Sequence, residues 1–235
     1  MTAEPLIALE GLHALKHALR FGADLVDVLA PEPERVLALA AELAPDLDLA
    51  GRIRRVAPEA LGSRPHHTGV LAYARRPPFD PAALGPGHVV LLEEPRHGGN
   101  VGAVIRVAAA AGAAAVLTTG ARDPWDRDAL RGSAGLHFAL PVGRGEPDGR
   151  SLIAVHPAGE PLGALPADAT LAFGTERAGL SAALLARADA RVAIPMRPGV
   201  SSLNLATAAA VALYMARSGF SQRSVVEMDR MPTDS

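Results

Sequence analysis

The stretch His88-Val-Val-Leu-Leu-Glu-Glu-Pro-Arg-His-Gly-Gly-Asn-Val-Gly-Ala-Val-Ile-Arg106 decides the fold of this chain. It begins with an apolar run of strand length and passes through a turn that contains Gly98 and Gly99. The helical spacing of its apolar residues predicts a helix from Val101 to Ala111, with Asn100 as its N-cap. The order strand, glycine turn, helix is the repeating unit of an α/β protein with a parallel sheet.

The same alternation continues to the end of the chain. Further strands are predicted at Ala115–Thr119, Leu152–His156, Thr170–Phe173 and Arg191–Ile194, followed by an alanine-rich helix at 203–217. Continuous apolar strands that alternate with helices indicate a parallel sheet covered on both faces.

The residues before this region have a different pattern. A helix that contains Leu12, Leu15 and Leu19, a strand at Leu25–Leu29 and a helix at Val36–Leu43 are predicted there. Prolines and glycines cluster between residues 62 and 87, and Arg75-Arg-Pro-Pro78 is predicted to start a linker. We therefore predict two domains, residues 1–79 and residues 80–235.

Composition excludes several classes of protein. The chain has 235 residues, no cysteine and a net charge of −2. Disulfides and cysteine-based metal sites are excluded, and a nucleic acid would have to bind a local basic patch. No Gly-Lys-Ser/Thr sequence occurs, which excludes a P-loop. Because the N-terminus has no signal pattern and the run Leu205–Ala216 is too short to span a bilayer, we expect a cytoplasmic protein that does not insert into a membrane.

Each of three motifs has an ordinary structural interpretation and a functional one. Gly98–Arg106 fits a plain turn and helix, or a dinucleotide site, although the full G-x-G-x-x-G spacing is not there. Leu171-Ala-Phe-Gly-Thr-Glu-Arg-Ala-Gly-Leu180 fits a simple connection, or a ligand site at the carboxyl end of a strand. In Val192-Ala-Ile-Pro-Met-Arg-Pro-Gly-Val-Ser-Ser-Leu-Asn-Leu205, the serines fit a helix cap or an anion site. Asn204 is predicted in the first turn of a buried helix, where its amide needs a partner.

In this order and at this spacing, the three motifs resemble the SpoU (TrmH-like) branch of the SPOUT methyltransferases. The resemblance covers about residues 88–217, and the stretch Asp123–Gly135 resembles the segment that joins the first two motifs of that family. It implies a parallel α/β fold with a deep trefoil knot, S-adenosylmethionine as cofactor without a metal, and a homodimer with its active site near the subunit interface.

The resemblance also assigns site residues. The residues matched to the cofactor site are Gly174, Thr175, Glu176, Ile194, Pro195, Met196 and Leu203. The residues matched to the conserved polar positions of the catalytic site are Asn100, Arg106, Glu176, Ser202 and Asn204. Arg106 is expected to activate a ribose 2′-hydroxyl together with an RNA phosphate. Thr175 stands where the family frequently has asparagine, and the loop Pro95–Asn100 is longer than usual.

Residues 1–79 resemble the small α/β substrate-binding domain of ribosomal-RNA members of this family. Basic residues crowd their second half and fit either a phosphate-binding patch or an arginine-rich solvated surface; they are Arg52, Arg54, Arg55, Arg64, His66, His67, Arg75 and Arg76. The predicted function is therefore 2′-O-methylation of ribosomal RNA. The alternatives are a transfer-RNA methyltransferase, a catalytically silent RNA-binding protein and, more distantly, a Rossmann-type oxidoreductase.

Overall fold

The computed structural model describes residues 6–147, 149–175 and 178–218, and these contain two β-sheets. The first sheet has the strand order β1-β4-β2-β3, in which β4 is antiparallel to both neighbours and β2 is parallel to β3. Its elements are β1 (Leu6–Glu10), α1 (Leu12–Arg20), β2 (Leu25–Ala30), α2 (Pro33–Leu43), β3 (Arg54–Arg55) and β4 (Leu71–Arg75), with a 3₁₀ helix at Pro58–Leu61.

The second sheet has six strands, and all its paired neighbours are parallel. Its strands are β5 (Val89–Leu92), β6 (Ala115–Thr118), β7 (Val142–Arg144), β8 (Leu152–Pro161), β9 (Thr170–Phe173) and β10 (Ala190–Ala193). The order β10-β8-β9-β5-β6-β7 confirms the predicted parallel sheet. From β5 the chain adds β6 and β7 on one side of the sheet. It then crosses to the other side of β5, where it adds β8, β9 and β10, so the direction of strand addition reverses between β5 and β9. Open parallel sheets bind ligands at such a reversal.

Four α-helices belong to this second part: α3 (Gly98–Ala111), α4 (Arg127–Ser133), α5 (Ala182–Arg187) and α6 (Leu205–Ser218), with a 3₁₀ helix at Leu136–Ala139. The prediction that Asn100 caps α3 is wrong, because the helix begins at Gly98 and His97 is the N-cap residue. The two glycines of the predicted turn belong to this helix. Gly98 packs against the side chains of Asp126 and Asp128, where a larger residue would not fit.

The helix α3 lies against α4 at very close range. A side chain on Gly102 would collide with the carbonyl oxygen of Ala129, and one on Gly132 would meet the carbonyl oxygen of Gly99. Small residues therefore allow the two backbones to touch. This contact fixes the direction of α3, which carries Asn100 and Arg106.

The segment predicted to begin a linker is packed against the second sheet. Arg75 is the last residue of β4 and not a linker residue, because it pairs with Leu6 of β1. The guanidinium of Arg76 binds Asp123 at 2.9 Å and lies 5.4 Å from the centre of the Trp125 ring. The ring of Phe79 covers Gly143, where a Cβ atom would not fit. These contacts hold the segment in place.

The helix α1 joins the first sheet to the helical layer of the second. Its main chain at Ala14 lies against Gly135, which has a left-handed conformation (φ +78°) and no room for a side chain. A second contact joins His17 Nδ1 of α1 to the carbonyl oxygen of Ala134, at 2.7 Å. Buried apolar residues of both parts, such as Leu15 and Val104, belong to one continuous core.

Candidate functional site

A cavity of about 330 Å³ lies where the carboxyl ends of β8, β9 and β10 meet the first turns of α6. Its walls are mostly apolar and main-chain groups, with a few hydroxyls and one histidine. The lining residues are Val155, His156, Pro157, Phe173, Gly174, Thr175, Ala178, Gly179, Leu180, Ile194, Met196, Ser201, Ser202, Leu203, Leu205 and Ala208. The carboxyl edge of a parallel sheet is the expected place for a ligand.

The loop after β9 forms one wall of the cavity. Thr175 and Gly179 pair through two main-chain hydrogen bonds of 3.2 and 3.0 Å, and the Thr175 hydroxyl accepts a bond from the Ala178 amide. Gly174 sits so close to the main chain of Gly179 and Leu180 that it has no room for a Cβ atom. The loop is therefore tight because residue 174 has no side chain.

Glu93, at the end of β5, holds the far side of this loop. Its carboxylate accepts bonds of 2.6 Å from the Ser181 amide and 2.5 Å from the Ser181 hydroxyl. Ser181 is also the N-cap residue of α5, and its hydroxyl accepts a bond from Leu184. The sequence prediction did not include Glu93 or Ser181. The signal available for Glu93 was its position directly after a buried strand.

A wide bulge in β8 forms the second wall. Ala154 pairs with Arg191 of β10, but the next pairing joins Glu160 to Val192, so five residues of β8 leave the ladder. Three of them, Val155, His156 and Pro157, line the cavity. The sequence prediction ended this strand at His156 and did not assign the bulge. Gly159 was the available signal, since an isolated glycine in a strand often marks a bulge.

The segment between β10 and α6 closes the cavity. Of the predicted cofactor residues, Gly174, Thr175, Ile194, Met196 and Leu203 line it, and so does Ser202 from the predicted catalytic set. Pro195 is exposed and does not line it. Glu176 lies outside the described residues.

Asn204 is not where the sequence predicted it. The side chain is exposed and precedes the helix, so the predictions of a buried amide and of a position in the first turn are both wrong. Its Oδ1 atom accepts bonds from the amides of Ala206 (2.9 Å) and Thr207 (3.4 Å), which makes Asn204 the N-cap of α6. Its Nδ2 atom lies 3.5 Å from Oδ1 of Asn100, so the beginnings of α3 and α6 meet.

Arg106 is exposed on α3, six residues after Asn100. Among the described residues, it forms no ion pair and donates no hydrogen bond. An arginine remains protonated in proteins, so the side chain presents a lasting positive charge. The helix α3 therefore carries both the exposed guanidinium of Arg106 and the side-chain amide of Asn100.

The basic residues of the first sheet do not form one continuous positive surface. Four of the six arginines between residues 52 and 76 pair with carboxylates: Arg54 with Asp27, Arg55 with Glu34, Arg75 with Asp24 and Arg76 with Asp123. Each pair neutralises much of the charge that the sequence suggested for a phosphate patch.

Two kinds of feature are absent from the described ranges 6–147, 149–175 and 178–218. They hold no group of three or more His, Cys, Asp or Glu side chains placed to bind a metal ion. They also hold no helix that is both long and apolar enough to cross a membrane.

A parallel sheet with a ligand-sized cavity beyond the carboxyl ends of its strands is typical of α/β proteins that bind a small organic ligand. The model of the SpoU rRNA Methylase family matches residues 87–214. The chain belongs to that family, which confirms the resemblance drawn from the three motifs.

Individual relatives agree with this membership. An uncharacterized tRNA/rRNA methyltransferase of Mycobacterium tuberculosis is 38% identical over 167 residues, which cover 62% of this chain and 58% of the relative. A 23S rRNA (uridine(2479)-2′-O)-methyltransferase of Streptomyces viridochromogenes is 36% identical over 146 residues, or 54% of this chain and 51% of the relative. The chain thus spans a little over half the length of these curated relatives.

A solved structure extends the likeness to the first sheet. The SpoU methyltransferase AviRb of Streptomyces viridochromogenes, in complex with the cofactor AdoMet, superposes with a TM-score of 0.72 at 27% identity. The match covers 91% of this chain and 89% of that chain. The order of both parts along the chain is therefore similar in the two proteins.

Proposed function

We propose that this chain is an S-adenosylmethionine-dependent RNA ribose 2′-O-methyltransferase that acts on ribosomal RNA. The observation that supports it most is the cavity beyond β8, β9 and β10, because the residues matched to the cofactor site of the family, Pro195 and Glu176 aside, line it. Its volume of about 330 Å³ falls within the roughly 300–1,000 Å³ of small-molecule sites. The cofactor-bound relative and the family membership support the same conclusion.

The residues of the cavity suit this cofactor. The tight main chain at Gly174 offers backbone groups for an adenine ring, and the apolar side chains of Ile194 and Leu203 offer a surface on which it can lie. When bound, the cofactor supplies an electrophilic methyl group on its sulfonium. We assign Glu176 to ordering the loop around it, and Thr175, Pro195 and Met196 to its border.

Arg106 orients the substrate in this proposal. Since its guanidinium does not release a proton near neutral pH, it is not a general base. It holds an RNA phosphate with its planar fork and lowers the pKa of the nearby ribose hydroxyl by its charge. Asn100 and Asn204 join the beginnings of α3 and α6, and Ser202 borders the cavity. Holding two reactants in line contributes roughly 7–11 kcal/mol to lowering a barrier.

The remaining features of the family are also proposed for this chain. Residues 1–79 form an RNA-binding domain, residues 80–235 form the methyltransferase domain, and the C-terminal part of the latter contains a deep trefoil knot. The protein is a homodimer that works in the cytoplasm without a metal. Exposed apolar side chains near the cavity, such as Val200 (49% exposed) and Leu203 (38%), support an interface at this end of the molecule.

Methylation of total bacterial RNA with a methyl-labelled cofactor tests the activity. We expect label on a ribose 2′-oxygen of ribosomal RNA; label confined to transfer RNA would favour the first alternative. RNA binding without transfer would favour a silent RNA-binding protein.

Calorimetry in the presence of a chelator measures cofactor binding without metal. Light scattering gives the assembly state, and an active 24.2 kDa monomer would contradict the dimer.

A further inference from the structure

The polar side of α1 carries only basic residues. His13, Lys16, His17 and Arg20 recur at spacings of three and four, which places them on one face, and the helix contains no acidic residue. Of the four, Lys16 and Arg20 are the cationic side chains at neutral pH, and the two histidines add ring nitrogens that can donate a hydrogen bond.

Two of these four side chains already have a structural role. His17 contacts the carbonyl oxygen of Ala134, and Arg20 donates to both carboxylate oxygens of Asp46. For His13 and Lys16, the described part of the chain provides no hydrogen bond or ion pair. These two therefore remain available to a ligand.

The docking of α1 places this face beside basic groups of other elements. Burial lowers the pKa of His13, and the positive charges of Lys16, His17, Arg106 and His67 lower it further. The neighbouring rings of His66 and His67 have centres 4.2 Å apart. Burial also lowers the pKa of His66, with further lowering by His67 and Arg131. Lys16, Arg106 and Arg131 therefore create one positive field across α1, α3 and α4, while the lowered pKa values leave His13 and His66 neutral near pH 7, with ring N–H groups that can donate to a phosphate.

The nearest carboxylates do not neutralise this field. Glu10 raises the pKa of His66 but is bound to Arg127 at 2.6 Å. Asp46, which feels the charge of Lys16, is bound to Arg20. This differs from the arginines of residues 52–76, most of which have a carboxylate of their own.

We propose that the basic face of α1, with His13, Lys16, His67, Arg106 and Arg131, is the surface that binds the phosphate backbone of the RNA. This assignment rests on the proposed function and moves RNA recognition from the paired arginines of residues 52–76 to the junction of the two sheets. The surface continues from α1 to Arg106. An RNA strand bound along this surface therefore reaches the guanidinium of Arg106, which we assign to the ribose hydroxyl.

Lys16 makes the proposal directly measurable, because it is the sole lysine of the chain. Acetylation with an amine-selective reagent modifies Lys16 and the α-amine, and mass spectrometry quantifies both. With unmodified 23S rRNA at about ten times its Kd, the labelling rate of Lys16 should fall about tenfold, since about a tenth of the protein remains unbound. The α-amine is the internal reference. Millimolar inorganic phosphate should leave Lys16 labelling unchanged, which separates RNA from free phosphate.

Two matched variants of the full chain measure the energetic contribution. Lys16→Gln should lower the slope of log affinity against log salt by about 0.7 to 0.9, the change expected for one phosphate contact. Arg55→Gln removes an equal charge that is already paired with Glu34, so affinity and slope should stay at wild-type values. Binding of S-adenosylmethionine, measured by calorimetry, should be unchanged in both variants.

Failure of this surface and failure of the proposed function have different signatures. A protein that methylates RNA while Lys16 labels at the same rate with and without saturating RNA would overturn the surface alone. So would an Arg55→Gln variant that loses as much salt dependence as Lys16→Gln. Protection of Lys16 by RNA in a protein that transfers no methyl group would support the surface and overturn the activity.

Discussion

Arg106 has an exposed guanidinium that forms no ion pair with any described residue, while most arginines of the first sheet are paired. Its role in the proposed reaction is to hold substrate and not cofactor. Arg106→Ala should therefore reduce single-turnover methyl transfer by at least about a hundredfold, the lower range for loss of one preorganised electrostatic contact. The affinity for S-adenosylmethionine should stay near wild type in calorimetry.

Arg106→Lys is the matched variant, because it keeps the charge and removes the planar fork. It should not restore the rate, since a point charge does not replace two parallel donors. A near-normal single-turnover rate in Arg106→Ala would contradict this mechanism even if ribosomal RNA is the substrate.

Asn204 combines a cap with a contact to Asn100. Asn204→Ala should lower the free energy of unfolding by about 1 kcal/mol, the usual effect of losing an N-cap side chain. Asn204→Asp keeps a cap acceptor but loses the amide donor, so its stability should stay near wild type while methyl transfer falls. Denaturant titration and single-turnover assays of both variants separate the two roles. Equal loss of stability in both would show that the cap does not matter.

The sequence brought these residues together better than it predicted their environment. The resemblance selected Asn100 and Asn204, which the fold places at the neighbouring beginnings of α3 and α6, and Arg106, which lies further along α3. The predicted burial of Asn204 followed from the apolar helix behind it, but a helix start is decided by which residue first takes helical angles. Leu203 and Asn204 stay outside the helix, so the amide faces solvent.

At the scale of elements, the loop from Gly174 to Leu180 depends on main-chain contact. Gly174→Ala should weaken cofactor binding at least about tenfold, because a Cβ atom would collide with the main chain of Gly179 and shift the cavity wall, and about 1.4 kcal/mol suffices for that loss. Gly163→Ala is the control, since no atom lies within 4 Å of its added Cβ. Calorimetry measures the affinity of both variants for S-adenosylmethionine. Equal affinities in both variants would exclude this loop from the cofactor site.

The junction of α4 with the following 3₁₀ helix contains a buried histidine. His137 Nε2 donates to the carbonyl oxygen of Pro124 (2.8 Å), and Nδ1 accepts from the Ser133 hydroxyl (2.7 Å). Burial lowers the pKa of His137 to about 4. The folded state therefore holds His137 in its neutral form, and protonation of His137 favours unfolding.

A measurable dependence of stability on pH results. The stabilisation is complete above the unfolded-state pKa of 6.5 and is lost as the pH falls toward about 4, by about 3 kcal/mol in total. His137→Gln offers a donor and an acceptor but no titrating group, so its free energy of unfolding should decline less over this range. Denaturant titrations of both proteins between pH 7.5 and 4 give the difference. Parallel curves would contradict the assigned protonation state.

Element boundaries were predicted well where an apolar run had clear ends and poorly where tertiary packing decided them. Thr170–Phe173 was predicted to the residue, because this short buried run is bounded by Asp168 two residues before it and by Gly174 directly after it. The bulge of β8 depends on its pairing with β10, a partner nearly forty residues away. Local periodicity contains no information about such a pairing, and so the second wall of the cavity was not predicted.

At the scale of the molecule, the two sheets share one hydrophobic core. We therefore expect the chain to unfold in a single cooperative transition, although its sequence suggests two domains. Differential scanning calorimetry tests this by comparing the calorimetric and van't Hoff enthalpies, which are equal for a two-state transition. Two resolved transitions would show that the first sheet is an independent unit.

The contact between Ala14 and Gly135 has a consequence for how this protein changes during evolution. It is formed by main-chain atoms and depends on a small residue on one side and a left-handed glycine on the other. Neither requirement involves the outward residues of α1. Those residues are therefore able to diverge while the helix keeps its place, so that substitutions on one helical face change how tightly the protein holds the RNA backbone, with its cofactor cavity and its core unaltered.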